Sequence, residues 1–208
     1  MTRKRLSQEE RRNQIIRVAM ALFAEKGFNG ATTRSIAEAA GVSEAIIFRH
    51  FATKEDLYDA IIAYTVQKRL NLWEQDGMPP ADPENLPQLL EQFAQAYIRR
   101  NREDPTFIRL MMYSALEDHK FRQRFLEIYR SPHLMAIRRS LEMGVEQGVF
   151  GPLDPGLTAR SFFASLLQYC IQSFVARSAP LDESRDEQMA QNLVAVYLDG
   201  LRAKPAGP

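Results

Sequence analysis

Apolar residues recur at intervals of three or four along most of this 208-residue chain, and no segment shows the alternation of a half-buried β-strand. Glycine and proline interrupt the pattern repeatedly. The interruptions predict four helices before a linker at residues 76–83, where three of eight residues are proline. Beyond it they predict helices at about residues 84–102, 105–117, 119–130, 132–147, 155–177 and 184–203. The sequence therefore predicts an all-α protein.

Two short helices separated by a tight turn are the most specific local feature of the first part. Before them, Ser7–Glu10 forms a capping box, and Gly27 is suited to end the first helix because glycine accepts a positive φ. The second helix begins at Thr32-Thr33 and ends at Gly41, and Ser43 begins the third. So short a connection favours a helix-turn-helix unit. Its expected small core is Ile36, Ala37, Ala40, Val42, Ile47 and Phe51.

Charge is divided unevenly along a chain whose net charge is only +1. Residues 1–54 contain ten Lys or Arg and five Glu, a net of +5. The remaining 17 basic and 21 acidic residues give −4 for residues 55–208. A basic head on a mildly acidic body indicates that the head meets a polyanion. An ordinary solvated basic face is the alternative that charge alone leaves open.

Several functional classes lack the residues they need. Cys170 is the only cysteine, which excludes an internal disulfide framework and a cysteine-based zinc site. The three histidines, His50, His119 and His133, are scattered, and no catalytic constellation or glycine-rich phosphate loop is present. The charged start is unlike a signal peptide, and the longest uncharged run, residues 161–176, is too short and too polar to span a bilayer. We expect a cytoplasmic protein that is not an enzyme and has no cofactor, metal or membrane partner.

The segment Thr32–Leu57, TTRSIAEAAGVSEAIIFRHFATKEDL, resembles the signature of the TetR family of transcriptional repressors. The resemblance in motif covers about residues 10–60, and the rest matches in length and helical punctuation. It implies a three-helix, helix-turn-helix DNA-binding domain at residues 1–54. A helical-bundle domain at 55–208 would bind a small effector and form a homodimer. The implied function is repression at a palindromic operator in double-stranded DNA, released by a small hydrophobic effector.

The outward residues of the helix-turn-helix unit are the candidates for DNA contact, since its second helix, Ser43 to His50, would enter the major groove. Arg34 and Arg49 have guanidinium groups that suit guanine or phosphate. The resemblance places His50 and Lys54 against phosphates. Thr33 lies near the groove edge by resemblance, or caps the second helix. The complete predicted set is Thr33, Arg34, Glu44, Ala45, Ile46, Phe48, Arg49, His50 and Lys54.

Residues 45–48, Ala-Ile-Ile-Phe, depart from the family's usual glycine, threonine, leucine and tyrosine. Ala45 still permits a close approach to DNA, and Ile46 can pack on a thymine methyl. Phe48 lacks the hydroxyl that would reach a phosphate. The departures change which operator is read more than DNA binding itself. Among the remaining cations, residues 3–5 are either a minor-groove arm or a solubilising tail, and Arg11 and Arg12 are expected to be solvated.

The run at residues 161–176 has no charged face, which is typical of a helix that is buried all round. In a domain of this size, that burial suggests a second subunit as well as the chain's own core. The resemblance likewise implies a homodimer through the last two helices of each chain. A single large monomeric core is the alternative.

An effector pocket is expected among the helices between the linker and residue 177. Aromatic and methionine side chains suit a hydrophobic ligand, although most of them in a helical bundle are simply core. Gln172 is a further polar candidate, and Glu117 and Asp118 either neutralise a cationic effector or are solvated. The predicted lining is Phe93, Tyr97, Phe107, Met111, Met112, Tyr113, Phe125, Tyr129, Met135, Phe163, Gln168 and Tyr169.

Effector release is expected to work as a population shift. An effector that favours another tilt of the fourth helix would change the distance between the two DNA-reading heads, with a coupling of about 1–3 kcal/mol. Two other functions remain open from the sequence. One is a dimeric DNA-binding regulator without a small-molecule effector, and the other is a helical enzyme or carrier.

Overall fold

The computed structural model describes residues 7–75, 77–117, 130–176 and 182–201. Within these ranges the chain is helical and has no β-strand, which confirms the all-α prediction. A bilayer-crossing segment is absent from the helices in these ranges, because none is both sufficiently long and sufficiently apolar.

The helices lie close to their predicted positions. The prediction at 119–130 falls, except for its last residue, outside the described residues. A short π-helix, Ile171–Val175, continues the eighth helix. In the described ranges the α-helices are α1 (Gln8–Gly30), α2 (Thr33–Ala40), α3 (Glu44–His50), α4 (Lys54–Gln75), α5 (Leu86–Glu103), α6 (Thr106–Leu116), α7 (Pro132–Glu146), α8 (Pro155–Cys170) and α9 (Glu183–Leu201).

The first helix begins as predicted and ends later than predicted. The Ser7 N–H donates to the Glu10 carboxylate at 2.7 Å, and the Glu10 N–H donates to the Ser7 hydroxyl at 3.1 Å, which confirms the capping box. Gly27 has the positive φ expected of it, 73°. It kinks α1 instead of ending it, and the helix continues to Gly30. The prediction that the helix stops at Gly27 is therefore wrong.

The chain forms two compact units, and their division falls within α4. The first unit comprises the described residues up to Lys68 together with residues 106–117. The second comprises Arg69–Pro105 and the described residues from 130 onward. The boundary predicted after residue 54 stays a prediction.

Three aromatic rings form the centre of the first unit. Phe23, Phe28 and Tyr58 have ring centroids between 4.9 and 5.9 Å apart. The buried Tyr58 hydroxyl shares a hydrogen bond with the Ser114 hydroxyl at 2.8 Å, which joins α4 to α6. A buried hydroxyl needs such a partner, so this contact fixes the pairing of the two helices.

A larger ring cluster forms the centre of the second unit. Phe93 and Tyr97 of α5 meet Phe162 and Phe163 of α8 and the imidazole of His133 in α7. The centroids of these contacts lie between 5.2 and 6.4 Å apart. Side chains of this size remove most of the apolar area from water, so the cluster dominates the core of this unit.

A buried ionic contact joins α5 to α9 in the second unit. The Arg102 guanidinium donates to the Asp186 carboxylate, with its Nε at 2.7 Å, and Asp186 is only 9% exposed. The Tyr169 hydroxyl donates to the other oxygen of the same carboxylate. Burial, followed by this bond, raises the pKa of Tyr169 to about 12. Tyr169 therefore remains a neutral donor in the physiological range.

Candidate nucleic-acid interface

Reciprocal hydrogen bonds fix the turn between α2 and α3. The Thr32 N–H donates to the Ser35 hydroxyl, and the Ser35 N–H donates to the Thr32 hydroxyl, each at 3.1 Å. Thr32 is therefore the N-cap, and the alternative that Thr33 caps this helix is wrong. Gly41 ends α2 with φ 65°, a left-handed conformation that glycine adopts with little strain. Two chain-local signals thus set where α3 begins.

The predicted small core lies beneath this turn. Gln14 of α1 donates through its amide to the Ala40 carbonyl at 3.2 Å, so α1 braces the end of α2. The core holds α2 and α3 at a fixed angle, which leaves the opposite face of α3 outward. Five predicted members are buried and the fourth in sequence, Val42, is half-buried; the buried five are Ile36, Ala37, Ala40, Ile47 and Phe51.

The outward face of α3 carries apolar and cationic side chains together. Phe48 is 47% exposed, Ala45 and Arg49 are exposed, and Ile46 is half-buried. An exposed large aromatic beside a free arginine suits a surface that is covered by a partner. The Thr33 hydroxyl donates to the Glu44 carboxylate at 2.6 Å, which ties the first turns of α2 and α3 together.

Arg34 and Lys54 differ in how the free protein holds them. Arg34 makes an ion pair with Glu38 at 3.2 Å, and both side chains are strongly exposed. Such a surface pair is weak and readily exchanged for another anion. The Lys54 ammonium instead lies 4.3 Å from the centroid of the Phe28 ring. Partial burial lowers the pKa of Lys54, against the opposing effect of nearby Glu55 and Glu117.

A basic groove lies between the start of α1 and α3, with a volume of about 410 Å³. Arg11 from α1 and Arg49 and His50 from α3 line it together with the Gly41 turn. The neighbouring Arg12 packs its guanidinium 4.9 Å from the centroid of the Phe51 ring. The expectation that Arg11 and Arg12 are merely solvated is therefore wrong. No sequence signal within α1 alone reveals the groove, because it depends on how α1 and α3 pack.

His50 is the most constrained polar residue of the groove. Its Nε2 atom is buried, and within the described part of the chain it has no hydrogen-bond partner. Burial, and then the charges of Arg49, Arg12 and Arg11, lower the pKa of His50. The imidazole is therefore neutral near pH 7 and retains an unused polar atom.

The end of α6 holds the kink of α1. The Glu117 carboxylate accepts hydrogen bonds from the backbone N–H groups of Phe28 and Asn29, at 3.0 and 3.2 Å. The Tyr113 hydroxyl donates to the Glu25 carbonyl at 3.0 Å. Glu117 is thus a structural ligand of the backbone, and both roles expected for it, effector contact and a solvated carboxylate, are wrong.

The residues predicted to line an effector pocket occupy different places. Phe93, Tyr97 and Phe163 meet in the ring cluster of the second unit. Tyr169 binds Asp186, while Met135 and Gln168 are exposed in the single chain. The first unit contains Phe107, Met111, Met112 and Tyr113. Phe125, Tyr129 and Asp118 lie outside the described residues. The pocket assignment stays a prediction.

A metal centre is not indicated. Across residues 7–75, 77–117, 130–176 and 182–201, no three His, Cys, Asp or Glu side chains are grouped as metal ligands would be. The Cys170 thiol is buried, and burial raises its pKa far above the ordinary range, so it is a core side chain and not a nucleophile.

Two family models match the chain. Residues 15–61 match the model described as bacterial regulatory proteins, tetR family. Residues 84–200, more than half of the chain, match the AefR-like transcriptional repressor, C-terminal domain. The first match contains the α2–α3 turn and the outward face of α3, so the described geometry lies in the part that the model covers.

Relatives and solved structures agree with these matches. The HTH-type transcriptional regulator LuxR of Vibrio harveyi is 27% identical over 202 residues, covering 96% of this chain and 92% of LuxR. The TetR family transcriptional regulator PfmR of Thermus thermophilus is 28% identical with a TM-score of 0.66, covering 91% of this chain and 99% of PfmR. AibR, solved with isovaleryl coenzyme A and operator DNA, is 21% identical with a TM-score of 0.65, covering 90% and 97%.

Proposed function

We propose that this chain, which belongs to the TetR family of bacterial regulatory proteins, is a homodimeric repressor that a small hydrophobic effector releases from a palindromic operator. As a member of the family it is a DNA-binding transcriptional regulator. The observation that carries the proposal is the outward face of α3, where exposed Phe48 and Arg49 flank a helix that a buried core holds in place. Repression is favoured over activation because the second family model is that of a repressor.

The proposed DNA contacts are the nine predicted residues between Thr33 and Lys54. Exposed Arg49 suits the edge of guanine, and Arg34 suits guanine or phosphate once its weak pair with Glu38 opens. Ala45 and Ile46 suit close contact with thymine methyl groups. In a dimer, two such helices about 34 Å apart would read the two halves of a palindrome.

The proposed dimer interface uses α8 and α9. Along α8, an uncharged stripe is exposed or half-exposed in the single chain: Ser161, Ala164, Ser165, Gln168 and Gln172, the last in the π-helix. Leu157 of α8 and Val196 of α9 are 58% and 69% exposed. Neutral and apolar side chains with this exposure fit burial against a second copy, because desolvating them carries no charge penalty.

The proposed effector site lies in the second unit, where Phe93, Tyr97 and Phe163 supply apolar and aromatic surface. AibR is bound to an acyl thioester of coenzyme A. For the present chain we therefore place acyl thioesters first among the effectors to be tested. An effector would weaken DNA binding only by its preference for the non-binding state, about 1–3 kcal/mol of coupling.

The proposal is tested by a salt-titrated binding assay on the DNA upstream of the chain's own gene. A labelled duplex and a random duplex of equal length are each titrated between about 50 and 300 mM salt. We expect tight, salt-sensitive binding with two chains per site and a clear preference for the upstream duplex. Equal binding to both duplexes sends the operator search to a random-sequence selection. Failure to bind any DNA at low salt contradicts the DNA-binding role.

Effector release is tested on the same complex. A series of acyl-CoA thioesters of increasing chain length is added to preformed complex, with free coenzyme A as the matched control. Release by a thioester and not by coenzyme A supports an apolar effector site. Thermal stability and DNA affinity that no thioester changes would favour a regulator without this class of effector.

A further inference from the structure

The basic groove between α1 and α3 extends beyond the residues that the helix-turn-helix pattern singles out. We propose that it is a phosphate site for the operator backbone, in which Arg11 joins Arg49 and His50 around one phosphodiester. This inference rests on the proposed function, because the occupant is the DNA that α3 reads. It adds α1 to the DNA-contacting elements.

The shape of the groove favours a small anion. Three separate elements line it: the first turns of α1, the turn at Gly41 and the last turn of α3. Its volume of about 410 Å³ accommodates a phosphodiester with part of its hydration shell. A Cβ atom at Gly41 would meet nothing within 4 Å, so the backbone of the turn leaves the groove open on that side.

The charge in the groove is not neutralised within the protein. Arg11 donates at 2.7 Å to the neutral amide oxygen of Gln14, which is itself bonded to the end of α2. The guanidinium is therefore oriented without a counter-ion. In the described ranges, neither Arg11 nor Arg49 lies within ion-pair distance of a carboxylate. The nearby Glu10 carboxylate is occupied by the N–H of Ser7.

His50 supplies a second, independent observation. Its buried Nε2 has no partner among the described residues, although buried polar atoms generally have one. A phosphate oxygen in the groove would accept a hydrogen bond from this nitrogen. The anion would also offset the repulsion between Arg11 and Arg49, so one ligand would satisfy both the imidazole and the two guanidinium groups.

The position of the groove favours DNA over a free anion. Ile46 and Arg49 line the groove, and both are also among the proposed contacts of α3 with DNA. An anion in the groove would therefore sit next to the bases that α3 reads. Contacts to backbone phosphates commonly fix the orientation of a recognition helix in this way.

The test compares Arg11→Gln with Arg17→Gln, an exposed arginine of the same helix that does not line the groove. Both substitutions remove one positive charge. Operator affinity is measured across a salt series for the full-length protein, and the melting temperature of each variant checks the fold. We expect Arg11→Gln to reduce the slope of log affinity against log salt by about 0.9 per chain. Arg17→Gln should leave the slope unchanged.

Two further arms make the result decisive. Arg11→Lys should restore most of the lost slope, because a lysine also neutralises a phosphate. The ratio of operator to random-DNA affinity should stay at its wild-type value in Arg11→Gln, since phosphate contacts carry no base information. Equal slopes for Arg11→Gln and Arg17→Gln overturn the phosphate site while wild-type operator binding stands. Absence of wild-type operator binding instead overturns the proposed function.

Inorganic phosphate is the probe that separates the two sources of the anion. The imidazole signals of His50 are followed by NMR at constant ionic strength, first with phosphate and then with operator duplex. We expect the operator to shift them in the wild type and not in Arg11→Gln. A shift with inorganic phosphate but none with operator would mean a free-anion site and would overturn the proposal.

Discussion

The two units of this molecule use arginine in opposite ways. In the first unit, Arg34 and Arg49 are exposed, and Arg34 has only a weak surface pair with Glu38. In the second unit, Arg69 is 7% exposed and donates to Asn101 at 2.7 Å, while Arg102 binds buried Asp186. An exposed guanidinium remains free to exchange partners, whereas a buried one depends on a fixed partner. Cationic residues thus face an external ligand in one unit and hold helices together in the other.

The largest expected effect comes from breaking the buried pair of the second unit. Asp186→Ala leaves Arg102 buried without its carboxylate and removes the acceptor of Tyr169. We expect the free energy of unfolding to fall by about 3 kcal/mol, as measured by urea denaturation. Glu183→Ala is the control, because Glu183 also contacts Arg102, at 3.4 Å, but is 86% exposed. Equal losses in the two variants would contradict the distinction between buried and exposed pairs.

Substitution of glycine in the first unit comes next. Gly27→Ala forces a side chain into a positive φ and places Cβ 2.7 Å from the Tyr113 ring and 2.8 Å from the Glu117 carboxylate. We expect a loss of about 2–3 kcal/mol in the free energy of unfolding. Gly41→Ala shares the positive φ but meets nothing within 4 Å, so about 1 kcal/mol is expected there. If thermal or urea unfolding shows the same loss for both, the contact with α6 contributes nothing.

The arginine contrast itself is tested on DNA. Arg49→Ala should reduce operator affinity by about 1–3 kcal/mol and relax base preference at one operator position. Arg138→Ala is the matched variant in the second unit, where Arg138 is an exposed arginine paired with Glu142 at 2.8 Å. It should leave affinity unchanged. Competition binding against operators with single base changes measures both. A wild-type preference pattern in Arg49→Ala would remove this residue from base recognition.

The smallest expected effect concerns the start of α4. Lys54→Ala should weaken operator and random DNA alike and lower the salt slope by about one per chain, because the lost contact is to phosphate. Lys68→Ala, an exposed lysine of the same helix, should change neither quantity. A salt slope that stays at the wild-type value in Lys54→Ala would place the lysine outside the DNA contacts.

What the sequence predicts well depends on how close in the chain the interacting residues are. The capping box at Ser7 and the left-handed Gly41 involve partners within a few residues, so residue type and spacing are sufficient. Helical spacing also predicts which residues of α3 lie outward, once the core is identified. Most of the proposed DNA contacts follow from these local signals.

The features that the sequence does not predict join distant parts of the chain. Glu117 accepts from Phe28, 89 positions away, and Arg102 donates to Asp186, 84 positions away. Neither pairing has a local pattern, since each depends on which helices pack together. The groove that includes Arg11 is of the same kind. An arginine on the surface of α1 resembles any solvated residue until α3 is placed beside it.

The contact of Lys54 with the Phe28 ring has a consequence for the thermodynamics of association. A free lysine side chain samples many rotamers, and restricting them on binding costs up to about 2 kcal/mol of entropy. In this molecule the ring restricts the ammonium before any DNA arrives, with the ring centroid 4.3 Å from Nζ. A phosphate contact made from this position therefore begins with much of the ordering complete. Replacing Phe28 by leucine would make operator binding entropically less favourable in calorimetry, even where the enthalpy of the phosphate contact is preserved.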